Sequence, residues 1–275
     1  MKSNSQSVQL FLVVAFSCTS LLVSLTPAVA KPTLGFSISD AYGGLRLRSD
    51  AKMPLAQAKT FNQPPIPPGP PPGGRVRGGA KRGEFGACPQ TKHDLIALVP
   101  FVQENSVINV WGQTTEEHPS WFFYVPYTKS LPYGVEFVLQ DQDSNEVYQK
   151  AIALPDKPGV IRVSLPKTAP GLALNKQYRW FFTISCDQKK NSPPTFVEGV
   201  IQRVQLNPAV VKELQTTEPL KRYAIYAQNG IWYEALAILA QLRQKNPALQ
   251  TEWRNLLGSI NSSDIAAEPI FLEEP

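Results

Sequence analysis

Histidine is nearly absent from this 275-residue chain, and cysteine is scarce: there are two of the first and three of the second. Catalysis needs groups that titrate or attack, and His93 and His118 leave few candidates for acid–base work. No G-x-S-x-G, H-E-x-x-H or Gly-rich phosphate loop occurs, which removes the usual announcements of a serine hydrolase, a zinc protease and a nucleotide enzyme. No Cys-x-x-Cys or closely spaced histidine pair marks a zinc site. The expectation is a protein without catalytic residues, metal or cofactor. No apolar run reaches the roughly 20 residues that a membrane-spanning helix needs.

What is present begins with a leader. Lys2 is followed by the apolar stretch "LFLVVAFSCTSLLVSL" (10–25) and by "TPAVA" (26–30), an Ala-x-Ala ending that suits a signal peptidase. Residues 1–30 therefore read as a signal peptide cut after Ala30. Its removal leaves 245 of the 275 residues, without Cys18, and lowers the formal charge from +5 to +4. Cys88 and Cys186 remain, and an even pair in an exported chain is most simply a disulfide. Closing a loop of about a hundred residues is worth roughly 4–5 kcal/mol on chain entropy alone.

Residues 31–85 read as a disordered, basic linker rich in proline and glycine. "QPPIPPGPPPGG" (63–74) favours polyproline II followed by flexible glycine. Arg75, Arg77, Lys81 and Arg82 stand among glycines with no interleaved aromatic, so a solvated spacer is expected rather than a nucleic-acid binder.

From Asp94 to Val204 the pattern turns to short β-rich runs: 95–100, 107–112, 121–127, 135–140, 146–154, 159–165, 177–186 and 195–204. Val135, Phe137 and Leu139 share one face, as do Ile161, Val163 and Leu165. Tyr178, Trp180, Phe182, Ile184 and Cys186 also share parity, and so rich an apolar face belongs in a core. Eight such runs without helical periods between them predict a mainly β domain over 86–206, an immunoglobulin/fibronectin-like antiparallel sandwich. Leu174-x-x-x-Tyr178 resembles the tyrosine corner of those sandwiches. Cys88 would pin the start of this domain to the end of a central strand.

After Val204 the period becomes helical, giving a C-terminal helical hairpin subdomain over 207–275. Asn207-Pro208 is a cap and first position for 208–215. The stretch 218–230 stops at Asn-Gly, 231–247 carries Trp232, Ala235, Leu236, Leu239 and Leu242 at helical spacing, and 249–260 is amphipathic. Tyr226, Gly230, Ala235 and Pro247 resemble a single tetratricopeptide hairpin, but a plain hairpin packed on the sandwich accounts for them.

Three constellations invite a functional reading. Glu116, Glu117 and His118 could form an acid–base corner, although a loop between strands explains them. Asp141, Asp143 and Asn145 imitate a calcium loop, but Glu146 and Ile152 replace the glycine and glutamate it requires, so a hairpin turn is expected. Trp121, Phe122, Phe123, Tyr124 and Tyr127 cannot all face one core. Either Phe122 and Tyr124 pack beneath the helices, or they form an exposed platform for sugars or a partner protein. The candidate binding surface is Trp111, Trp121, Phe122, Tyr124 and Tyr133.

The stretches "CPQTKHDLIALVP", "WFFYVPYT", "VEFVLQDQDSNEVYQ", "VEGVIQRV" and "NGIWYEALAILAQLR" resemble exported cyanobacterial proteins grouped as domain-of-unknown-function family 928, from about Gly86 to about Pro269. The resemblance implies an envelope or secreted protein and carries no known activity, ligand or catalytic residue. The function expected is that of a non-catalytic cell-envelope protein, periplasmic or extracellular, acting through a protein partner. Carbohydrate binding through exposed aromatics is the alternative. Neither nucleic acid nor a membrane span in the mature chain is expected. The exported protein should begin at Lys31 by intact-mass analysis, and an N-terminus at Met1 would overturn the leader reading.

Overall fold

Strict alternation along Gln177–Ser185 produces a strand in which Tyr178, Trp180, Phe182 and Ile184 are buried while the intervening residues are half-exposed. The same rule builds most of the molecule. In the computed structural model, which describes residues 61–78, 88–187 and 192–272, ten strands and four α-helices follow in order. The strands are β1 (Ile96–Ala97), β2 (Phe101–Glu104), β3 (Val107–Thr114), β4 (Ser120–Val125), β5 (Gly134–Gln140), β6 (Glu146–Ala151), β7 (Gly159–Ser164), β8 (Gln177–Ser185), β9 (Thr195–Arg203) and β10 (Ile270–Phe271). The helices are α1 (Pro208–Thr216), α2 (Arg222–Gln228), α3 (Trp232–Lys245) and α4 (Gln250–Gly258). The expected leader, residues 31–60 of the expected linker, and Lys81 and Arg82 lie outside the described residues.

The strands form two layers, a four-stranded sheet in the order β1-β4-β7-β10 and a six-stranded sheet in the order β2-β3-β9-β8-β5-β6. Aromatic rings fill the space between them. Phe123 stacks on Phe182 at 4.2 Å, Trp121 leans on Phe137 at 4.8 Å, and Phe123 meets Trp180 edge-on at 5.7 Å. Gly199 opposes Trp180 across the ladder because any Cβ there would lie 2.5 Å from the indole and 2.6 Å from Val110. The tyrosine corner is present: the Tyr178 phenol oxygen accepts from the Ala173 N–H at 3.0 Å.

The sandwich is mixed rather than wholly antiparallel. β3 runs parallel to β9, and β10 runs parallel to β7. Alternation reveals which face of a strand is buried, but it carries nothing about the direction of the neighbour. β2 and β10, at four and two residues, are too short for alternation to mark them.

Residues 61–78 depart from the expected free spacer, because they are strapped to the body. Phe61 packs edge-on against Trp232 at 4.9 Å, and the Asn62 N–H donates to Ala227 O. Farther along, the Val110 N–H donates to Gly73 O, and Arg75 and Glu198 exchange backbone hydrogen bonds. Val76 O accepts from Ala97 N–H, so the strap bonds both sheets. Prolines supply carbonyls without N–H groups, and one of them, Pro72 O, accepts from Arg179 Nη2 at 2.6 Å. Gly74, at φ 127°, lets the backbone approach Glu198 O and Val110, each 2.8 Å from a notional Cβ. Arg75 lies over the Phe196 ring at 4.5 Å, and Arg77 donates to Asn261 O at 3.0 Å. Those two charges read as spacer in the sequence, and both have structural partners.

The helices share the core of the sheets. Ile231 bridges Gln113 of β3, and Trp232 Nε1–H donates to Leu98 O at 2.7 Å from full burial. Asn207 caps α1 by accepting from the Ala209 N–H at 2.9 Å. Cys88 and Cys186, 98 residues apart, are joined by a disulfide. It ties the segment leading into the four-stranded sheet to the end of β8, inside the six-stranded one. Replacing both cysteines with serine is expected to cost about 2–5 kcal/mol in chemical denaturation without changing the fold. An unchanged urea midpoint would contradict this account of the staple.

Candidate binding pocket

The structure buries most of the aromatic residues proposed as an exposed surface. Trp111, Trp121, Phe122 and Tyr124 are between 0% and 3% exposed, while Tyr133 is half-buried with its ring edge-on to Tyr127 at 5.5 Å. β4 is an interior strand with both faces covered, so Trp121 through Val125 are all buried, and α3 packs against it. A flat stacking platform for sugars is therefore not built from these residues.

The acid–base corner is likewise taken apart. Glu117 pairs with Arg203 at 2.9 Å, and His118 Nε2 lies 3.1 Å from Ala169 O. Glu116 remains exposed, and among the described residues its hydrogen bonds are made by its backbone N–H. What organises this loop is a residue that sequence reading passed over, Glu234 in the first turn of α3. Its Oε1 accepts from the hydroxyls of Thr114 and Thr115 and from the N–H groups of Thr115 and Glu116. Its Oε2 has no partner among the described residues. Burial pushes this carboxyl above its ordinary value of 4.5, against the pull of those donors. The only sequence signal was an acid at the third position of a helix otherwise facing the core. The Asp141 loop is a turn: Oδ1 accepts from the N–H groups of Asp143 and Asn145, and Oδ2 from the Asn145 amide.

One aromatic candidate opens onto solvent at its edge. Trp121 and Phe123 turn toward the six-stranded sheet, so alternation sends Phe122 and Tyr124 to the other face of β4. Tyr124 lies near the end of that strand, opposite Val160 of β7. There it helps line a recess of about 470 Å³. Three prolines line it as well, each beside a strand end: Pro126 after β4, Pro158 before β7 and Pro269 before β10. Proline cannot donate to a ladder, so the same residues that stop the pairing leave rigid apolar rings around the recess.

Thr91, Lys92, Lys157 and Glu268 complete the lining. Lys92 and Lys157 are exposed, and neither has an ion pair with any described residue. Three further acids lie close in the chain to these residues: Asp94, whose charge acts on the Tyr127 phenol, Asp156 and Asp264. Asp156 binds Lys129 at 2.6 Å, and Asp264 lies 3.3 Å from His93 Nδ1 and 3.8 Å from Arg77. His93 stands edge-on to the Tyr124 ring at 5.7 Å. Burial first, and then the charges of Glu268 and Asp264, raise the Tyr124 phenol to about 12, so its hydroxyl stays neutral. A second recess, of about 500 Å³, lies under the strap beside Val102, Glu104 and Asn109, with Glu104 its one charged residue.

A family model described as a Domain of Unknown Function, DUF928, matches residues 77–270. The match runs from the strap residue that bridges β1 to the first residue of β10, and it contains both cysteines, Glu234 and the whole Tyr124 recess. No curated protein matches the chain.

Glu234 makes this region testable. Glu234→Ala strands the buried Thr114 hydroxyl and the Thr115 N–H, a loss of about 2–4 kcal/mol by thermal or urea unfolding. A carboxyl whose folded pKa is raised favours folding below its unfolded value near 4.5, and that contribution disappears as pH rises through the folded value. Glu234→Gln removes the titration, so its stability should gain on the parent as pH rises from 4.5. A gap between the two that stays constant with pH would contradict the assignment.

Proposed function

The chain belongs to the Domain of Unknown Function DUF928 family, and from that premise we propose that it is an exported, non-catalytic module of the cell envelope that binds a protein partner. The observation that carries this reading is the Tyr124 recess, where rigid proline rings and one neutral phenol sit beside two lysines that have no ion pair with any described residue. A partner supplies what such a surface lacks: apolar atoms to exclude water from the rings and opposite charge for the lysines. The disulfide supports export, because such bonds persist in oxidising compartments.

The engagement of the reactive groups supports a non-catalytic role. Each cysteine is consumed by the other, Glu117 by Arg203, and Glu234 by four donors on one oxygen. Carbohydrate stacking has lost its aromatic platform to the core.

Replacing both exposed lysines, Lys92→Glu and Lys157→Glu, tests the site without touching the core. Photo-crosslinking from the recess in intact envelopes should capture a defined protein with the parent, and about tenfold less with the double variant, a change of ~1.4 kcal/mol. Equal capture by both would remove the recess from the interaction.

A further inference from the structure

We propose that the Tyr124 recess takes a short acidic peptide segment, with a proline or other bulky apolar side chain against the rings and a carboxylate toward Lys92 and Lys157. This rests on the reading of the protein as an interaction module and names the chemistry of its partner. The volume, about 470 Å³, lies toward the lower end of ligand sites and suits a few residues rather than a folded surface.

The lining decides between a peptide and a sugar. A sugar is held by many fixed neutral donors and acceptors placed around its hydroxyls. Here Thr91 already donates its hydroxyl to His93 O at 2.7 Å, and Pro269 O accepts from the Val160 N–H at 2.8 Å. That leaves the Tyr124 hydroxyl, which makes no hydrogen bond with a described residue, as the neutral side-chain donor of the recess. One donor is enough for one peptide carbonyl. The remaining walls, Pro126, Pro158 and Pro269, offer rigid apolar surface that loses little entropy when covered.

The charges decide the sign of the peptide. Two lysines line the recess against one acidic residue, Glu268. Asp156 is paired with Lys129, and Asp264 with His93 and Arg77, while Asp94, two residues from Lys92, lies outside the lining. Across the sheet order, Lys92 lies on the β1 side, Lys157 before β7 and Glu268 before β10. Anionic groups are thus favoured from the β1 side to the middle of the recess, and a cation is tolerated only at its β10 edge.

The test uses the mature, oxidised chain and four probes: acetyl-Glu-Phe-Pro-Glu-amide, its Gln-for-Glu and Lys-for-Glu counterparts, and trigalacturonate as an anionic sugar. Amide resonances of Thr91, Lys92, Tyr124 and Lys157 are followed by NMR titration. The acidic peptide should shift them saturably, bind about fivefold or more tighter than the Gln peptide, and lose that margin in the Lys92→Glu/Lys157→Glu variant. Equal binding of the Glu and Gln peptides, or preference for the Lys peptide or for trigalacturonate, overturns the acidic-peptide assignment and leaves the recess as a binding site. Undisturbed resonances with all four probes overturn the assignment and the binding-site reading together.

Discussion

Phe123 and Phe182 meet face to face at 4.2 Å, and the rest of the architecture follows from that contact between β4 and β8. It brings the two sheets together with Trp180, Phe137 and Trp121 ranged around it. It also sets the parity of β4. With Phe123 committed inward, Tyr124 has to point outward, and it does so where the strand runs into Pro126. The recess is therefore a by-product of core packing: the outward ring of a strand whose inward rings hold the sandwich together.

Covalent and polar ties then close the edges of this aromatic layer. The disulfide joins the approach to one sheet with the end of the central strand of the other. The strap bonds β3, β9 and β1 in turn, so a segment rich in proline and glycine seals the body it leads into. On the helical side, Trp232 reaches back to Leu98 O, and Glu234 gathers the loop after β3. A buried carboxyl is costly unless its lone pairs are satisfied, and here one oxygen takes four donors while the other takes none among the described residues. The helices are thereby fastened to the sandwich at the loop that leads into Glu116, Glu117 and His118.

Much of the fold was legible because strands and helices announce themselves locally. The eight expected strands occur, and the four helical stretches occur within a few residues of their expected bounds. The pairing of Cys88 with Cys186 was also legible, since with Cys18 set aside only one pairing remained. Less could be read of the site. Trp111, Trp121 and Phe122 looked available because an aromatic run cannot show what covers its second face, and the structure covers it. Lys92, Lys157 and Glu268 looked like ordinary surface charges, lying up to 176 residues apart in the chain. Nothing near any of them hinted that strand ends would assemble them around Tyr124.

Residue order by itself determined the periodicities, the turns, the strand-ending prolines and the one available disulfide, because each depends on neighbours a few positions away or on a count. The parallel neighbours β3/β9 and β7/β10, the burial of the aromatic run, the docking of the strap and the charge pattern around Tyr124 were decided only in three dimensions. Those features arise from contacts across long loops, where the free energy comes from surfaces fitting one another, and shape fit is not written in the spacing of residues along a chain.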